Sequence, residues 1–248
     1  MGRMTDAIKH LLIINILFFV ATSLYGDQMY QWFSLWFPKN ENFRFWQVVS
    51  HMFMHGGLMH LAFNMYALWA FGSPLERMWG RNKFLFFYFS AGIGAALIHT
   101  GVNYYYFNEG LNALMAAGFN ENQVLDLVLD GRYMKDWYNA VPKGTLDNFL
   151  GAVNTPAVGA SGAIYGILVA FGMSYPNSEL FLIFLPVPIK AKYFIPVLIG
   201  LDLFSGVTGY SIFGNGIAHF AHVGGALFGF IMMWYWKKNQ FNQNRWDL

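Results

Sequence analysis

The sequence predicts an all-α, polytopic membrane protein with six spanning helices in one bundle, and three observations predict it. Charge is scarce: 15 Lys and Arg and 13 Asp and Glu make 11% of 248 residues, against roughly 25% in soluble domains. The chain is 56% hydrophobic and 20% aromatic, with a mean hydropathy of +0.36. Residues 10–26, 45–75, 84–108, 148–178 and 203–236 contain no Asp, Glu, Lys or Arg, and each stretch is about as long as, or longer than, the ~20 apolar residues that cross a bilayer. A net charge of +2 from so few charges offers no basic face for nucleic acid. The absence of cysteine excludes disulfides, thiolate metal sites and cysteine nucleophiles.

Taken in order, the first span covers about residues 8–25. Arg3 and Lys9 before an apolar run resemble a secretory signal, but Thr22-Ser23-Leu24-Tyr25 is a poor small-residue cleavage site and more spans follow. The segment therefore reads as a retained helix, and no acid-poor, Arg- and Ser-rich presequence precedes it. Further spans are expected at 56–75, 83–102, 160–176, 191–207 and 218–236. The fifth is short and carries Asp202 and Pro196.

Lys and Arg in the connections orient the bundle. Arg3, Lys9, Arg77, Arg81, Lys83, Lys190, Lys192, Lys237, Lys238 and Arg245 fall on one side, and Lys39, Arg44, Arg132, Lys135 and Lys143 on the other. The positive-inside rule then puts both termini in the cytoplasm.

The segment 103–155 departs from this composition, with six acids and turn-like stretches at Asn120-Glu121-Asn122 and Val141-Pro142-Lys143-Gly144. It is expected outside the membrane, as an extracytoplasmic insertion in a single domain spanning 1–248. Asn120 and Gln123 form a capping-type pair, and Val124, Leu125, Leu127 and Val128 recur at helical spacing. A short amphipathic helix, more for packing than for substrate contact, is expected there. No internal repeat of the inverted-transporter kind is evident.

Polar side chains inside spanning helices are costly and mark candidate sites. Gly159-Ala160-Ser161-Gly162 opens the fourth span. A serine at a helix N-terminus has free backbone N–H groups and the positive dipole end beside its hydroxyl, which suits a nucleophile next to an oxyanion. The same small residues, with Gly162 and Gly166 four apart, also suit plain helix packing. Ala218-His219-Phe220-Ala221-His222-Val223-Gly224-Gly225 opens the sixth span at the same expected depth, and a neutral imidazole is the usual acceptor of a serine proton. Gly225 and Gly229 would let that helix approach a neighbour closely. His51-Met52-Phe53-Met54-His55 is followed by His60 and Asn64, an i,i+4 pair suited to donating toward one developing charge. Metal binding by His51 and His55 is the competing reading. It is disfavoured because no His-Glu-x-x-His occurs and the nearby acid, Glu76, lies about a whole span away.

These residues resemble the rhomboid family of intramembrane serine proteases. Gly-x-Ser-Gly on the fourth span, Ala-His-x-Gly-Gly with Gly-x-x-x-Gly on the sixth, and His-x-x-x-Asn on the second occur in the family's order, from about Trp46 to Gly229. The resemblance implies a six-helix rhomboid-like bundle with a water-filled cavity open to the outside, and peptide hydrolysis by a Ser–His dyad. By motif, Ser161 resembles the nucleophile and His222 the general base. His60 and Asn64 resemble helpers of the oxyanion hole, with Gly159 beside them and the Ser161 backbone N–H. Tyr165 resembles the aromatic residue on which the catalytic histidine packs. His219, three residues early, is not the expected base. Trp46-Gln47 stands where the family has Trp-Arg, which leaves the structural role of that arginine open, with Arg44 close by.

No aspartate is needed if packing already orients the histidine. Asp202 is expected nearer mid-membrane or the inner half than Ser161, in a packing role. A hydrated cavity lined by His51, His55, His60, Asn64 and Ser161 would supply the second reactant, water. No cofactor or metal is expected. The expected partners are single-span membrane proteins and the lipid bilayer, with no nucleic acid. A substrate helix must unwind near its outer end, so Gly, Ser or Pro nearby and a small residue at the cut are expected. A non-catalytic member of the same fold that binds membrane helices is one alternative, and a transporter is another. The charge asymmetry and the lack of a presequence favour the cytoplasmic (inner) membrane of a bacterium, with the site toward the extracytoplasmic side.

Overall fold

In a bilayer every backbone N–H and C=O must be satisfied within the protein, so apolar stretches of these lengths fold as helices. The computed structural model describes residues 4–182, 185–210 and 218–240; Arg3 and Arg245 of the charge count lie outside them. Helix α1 (Asp6–Tyr25) leads through α2 (Asp27–Phe33) to a loop holding α3 (Gln47–Ser50) and a 3-10 turn (His51–Phe53). The second expected span is α4 (Leu58–Ala67), a π-helical turn (Leu68–Gly72) and α5 (Ser73–Trp79). Then come α6 (Arg81–Ala116), α7 (Glu121–Leu129), α8 (Trp137–Ala140) and α9 (Lys143–Asn154). The chain continues through α10 (Ser161–Ser174), an antiparallel pair β1 (Glu179–Leu182) and β2 (Leu185–Lys190), α11 (Ala191–Thr208) and α12 (His219–Gln240). A helix thus stands at each of the six expected spans. Three of them, α1, α6 and α11, are individually long and apolar enough to cross a membrane; α10 is a shorter apolar helix.

Many large apolar side chains face outward around an apolar core, as suits a lipid surrounding. On α1, Leu17 is 60% and Leu24 72% exposed, whereas Asn15 and Thr22 are buried and donate to the carbonyls of Leu11 and Phe18 at 2.7 and 2.8 Å. The same helix is tied down at its start by α5. The buried carboxylate of Glu76 accepts from the Thr5 hydroxyl and from the N–H groups of Ala7 (2.8 Å) and Ile8 (3.1 Å), a placement that complements the positive end of the α1 dipole.

The third helix differs from expectation by running on to Ala116 rather than ending near 102. Its extension is held by a second apolar core, in which Phe107, Leu111 and Leu114 pack with Val124, Val128, Trp137, Leu146 and Phe149. Gly110 is the contact point, since a Cβ there would collide with the Phe149 side chain. Helix α7 forms as the spacing predicts, and the Asn120 side chain accepts from the Gln123 N–H at 3.2 Å.

At the centre, α6, α10 and α12 pack on one another, and small residues set the spacing. A Cβ on Gly166 would stand 2.6 Å from Ala91 Cβ, and one on Gly229 2.6 Å from Gly166 Cα. A Cβ on Gly225 would fall on the Gly162 carbonyl. The α10–α12 approach is thus backbone to backbone, a mode that brings packing contacts unavailable to larger residues.

Gly225→Ala should therefore force α10 and α12 apart, lowering stability by about 1–3 kcal/mol. Gly101→Ala, where a Cβ meets nothing within 4 Å, should leave it unchanged or slightly raised. Thermal unfolding of both variants in detergent checks this pair.

Candidate active site

Ser161 is the first residue of α10, so its N–H belongs to the set that has no acceptor within the helix. The approach to it is clamped on both sides. Leu35 and Ala157 exchange two backbone hydrogen bonds of 2.9 Å, and the Gly159 N–H donates to the His51 carbonyl at 2.9 Å. Gly159 has φ +122 and lies against the His60 ring, where a Cβ would come within 2.9 Å of Nε2. Both the backbone angle and the space call for glycine here.

One turn into α10, Tyr165 stacks on His222 of α12, with ring centroids 4.3 Å apart and planes 12° from parallel. The stacked imidazole places Nε2 2.8 Å from the Ser161 hydroxyl. Ser161, Tyr165 and His222 are brought together as expected. His60 adjoins them across Gly159. Its Nδ1 faces the Gly56 N–H at 3.4 Å, which favours a proton on Nε2, the nitrogen on the Gly159 side. Asn64 is buried one turn further along α4, with its amide donating to the His60 carbonyl at 2.9 Å. The i,i+4 pair thus shares a helix face, and it is the His60 ring that abuts the serine loop at Gly159.

Two expectations need correction. Asp202 is not set apart from the dyad in a packing role: its buried carboxylate is 3.1 Å from His222 Nδ1 and 2.6 Å from His219 Nδ1, and it accepts from the Tyr165 hydroxyl. The rise along the two helices puts Asp202 and Ser161 within a turn of each other in depth. Asp202 stands about 17 Å along α11 from its start, and Ser161 about 20 Å along α10 from its end, at 1.5 Å per residue. His219, set aside as the base, is accordingly joined to the same cluster through Asp202. The second correction concerns the polar cavity. A space of about 20 Å³ beside Ser161 is lined by His51, His99, Gly159, Gly162 and Ala218 among others. Of the residues expected there, His51 and Ser161 line it, whereas His60 and Asn64 lie outside its lining and His55 is fully buried, its ring edge-on to that of His60 at 5.0 Å. His99, on α6 with Asn103 Nδ2 at 3.2 Å, was missed because the charge count passes over histidine. Its position in a span free of Asp, Glu, Lys and Arg was the available signal. Among the described residues no group of three His, Cys, Asp or Glu is placed to hold a metal ion.

The open role at Gln47 is settled by its contacts. Fully buried, its side chain accepts from the N–H groups of Trp36 (3.3 Å) and Arg44 (3.1 Å) and donates to the carbonyls of Gln31 (3.0 Å) and Asn42 (2.8 Å). One amide thus ties together the loop that carries His51. Arg44 instead turns outward, bonding the carbonyls of Glu41 and Phe43 at 2.7 Å each.

Comparison with known proteins bears on this geometry. A family model described as the rhomboid domain matches residues 42–120 and 137–239, and the unmatched residues between include α7. The chain is 31% identical over 184 residues to the mitochondrial presenilin-associated rhomboid-like protein of Bos taurus, covering 74% of this chain and 35% of that protein. It is 24% identical over 191 residues to the mitochondrial Rhomboid protein 1 of Saccharomyces cerevisiae, covering 77% and 42%. It is 42% identical over 52 residues to Rhomboid protease GluP of Bacillus subtilis, covering 21% and 10%. The chain therefore spans about a third of the length of the first of these relatives.

Gln47→Ala should strip partners from two N–H groups and two carbonyls at once, lowering stability by at least about 2 kcal/mol. Thermal unfolding in detergent measures the loss, and protease nicking between residues 35 and 57 should rise with it.

Proposed function

The chain belongs to the rhomboid family, and on that premise we propose that it is an intramembrane serine endopeptidase acting through Ser161 and His222. The observation that carries this reading is the 2.8 Å contact between Ser161 Oγ and His222 Nε2, with the imidazole held flat against Tyr165.

The chemistry follows from that contact. Ser161 Oγ attacks the scissile carbonyl carbon while its proton passes to His222 Nε2. The carbonyl oxygen becomes an oxyanion, stabilised by the Ser161 N–H at the head of α10 and by His60 Nε2–H across Gly159; Asn64 contributes once its amide turns from the His60 carbonyl. As the C–N bond breaks, the imidazolium returns its proton to the leaving amine, and an ester remains on Ser161. Water then attacks the ester, giving its proton to Nε2, which passes it to Ser161 Oγ as the C–O bond breaks, leaving a free serine and a new carboxyl terminus on the substrate. The cavity of about 20 Å³ that touches Ser161 and includes His51 and His99 is large enough for one water, which supports a local supply of the second reactant.

The substrate in this reading is a single-span membrane helix that unwinds near its outer end, carrying Gly, Ser or Pro there and a small residue at the cut. The tight surroundings of Ala160 and Gly162 support the small residue. The ten-to-five distribution of Lys and Arg supports termini on the positively charged, inner side of the membrane and a site and segment 103–155 on the opposite side.

Purified protein in liposomes should cleave a model transmembrane substrate, and Ser161→Ala or His222→Ala, still folded, should abolish cutting. Persistence of cleavage in Ser161→Ala would remove the nucleophile. His60→Ala and Asn64→Ala should each lower kcat, by up to about 10²–10³-fold if each supplies a full oxyanion donor. In a panel differing only at the cleavage point, bulky residues should be cut markedly more slowly than Ala or Gly; equal rates would refute the size restriction.

A further inference from the structure

We propose that Asp202 is a positioning residue for His222, so that three helices rather than two assemble the proton-transfer array. This inference rests on the protease reading and extends it. Nothing in the dyad chemistry requires an acid, and an aspartate in an apolar span is costly unless its oxygens are well supplied with donors. Here they are. Oδ1 faces His222 Nδ1 at 3.1 Å and His219 Nδ1 at 2.6 Å, and Oδ2 accepts from the Tyr165 hydroxyl. The residue is only 1% exposed, so water does not substitute for these partners.

The donors decide the tautomer. A carboxylate anion can only accept, so both Nδ1 atoms that face it carry protons. In a neutral imidazole the other nitrogen is then the acceptor. For His222 that nitrogen is Nε2, the atom 2.8 Å from Ser161 Oγ. Asp202 thereby holds the base in the one form able to receive the serine proton. When the proton arrives, the carboxylate also stabilises the imidazolium, and it remains an anion throughout, as in the Ser-His-Asp arrangements of unrelated folds.

The cluster is built from separate elements. Tyr165 serves it twice, stacking on His222 through its ring and bonding Asp202 through its hydroxyl. His219 and His222 lie three residues apart on α12 and share one carboxylate oxygen. Asp202 reaches them from α11, which packs on both α10 and α12. A residue kept only for packing would need none of this convergence.

The test compares wild type, Asp202→Asn and Asp202→Ala by liposome cleavage kinetics and by nitrogen NMR of ¹⁵N-histidine-labelled protein in detergent. Asp202→Asn keeps the shape but removes the charge and can turn an N–H toward Nδ1; kcat should fall by up to about 10⁴-fold, and should also fall in Asp202→Ala, each with KM near the wild-type value. The spectra should place the His222 proton on Nδ1 in the wild type and shift it toward Nε2 in Asp202→Ala. A wild-type kcat in both variants, a loss that vanishes once rates are normalised to folded protein, or a His222 proton on Nε2 in the wild type would each overturn the proposal. The spectra need no substrate. A wild type that cuts nothing while showing the Nδ1 proton would sink the protease reading and leave the positioning of His222 by Asp202 standing.

Discussion

The spacing of α10 from α12 is the constraint on which the rest of the site depends. Ser161 and Tyr165 come from one helix and His222 from the other, so the distance between axes translates directly into the distance from hydroxyl to imidazole. Gly162 and Gly166 facing Gly225 and Gly229 leave no side chain at the seam. The helices close until backbone meets backbone, and a hydrogen bond of 2.8 Å and a ring stack of 4.3 Å follow. Interior packing has little slack, so a methyl group in that seam would be felt at the hydroxyl.

Other contacts fix the position of α10 along its axis and the loop above it. The Leu35–Ala157 bridge and the bond from Gly159 to the His51 carbonyl hold the entrance of α10 against the loop that Gln47 ties together. That loop is connected to α4, which supplies His60. The serine, its neighbouring backbone donor and the His60 ring are therefore parts of one braced unit rather than independent side chains. At the far end Glu76 secures α1 to α5 by bonds to the first turn of the helix. The segment after residue 102 has its own core around Trp137 and Phe149, which lets α6 continue as a helix well past the apolar stretch that begins it.

How much was legible depended on the kind of signal. The six spans could be read because each is a long stretch without charge, and Ser161, Tyr165 and His222 because they sit in short motifs at helix starts. The Asn120 cap was legible for the same local reason. The length of α6 was not, because the contacts that extend it come from residues 124–149, distant in sequence and unremarkable alone. Asp202 is visible as an acid in an apolar span, but its contact with His222 depends on how α11 packs against α10 and α12, which the span's own residues do not reveal. The role of Gln47 is not legible in its own motif, because its backbone partners, at Gln31, Trp36, Asn42 and Arg44, come from earlier in the chain.

By itself the sequence determined the class of fold, the family resemblance and the residue types available for hydrolysis, because burial of apolar surface in lipid and motif chemistry are local properties written in composition and spacing. The packing of helices settled that Asp202, His219 and Tyr165 converge on His222, that His99 rather than His55, His60 or Asn64 borders the small cavity beside Ser161, and that one glutamine organises a whole loop. Those outcomes turn on distances between helices remote in the chain. Such distances are set by which small residues meet across a seam, and a periodic pattern along one helix does not carry that information.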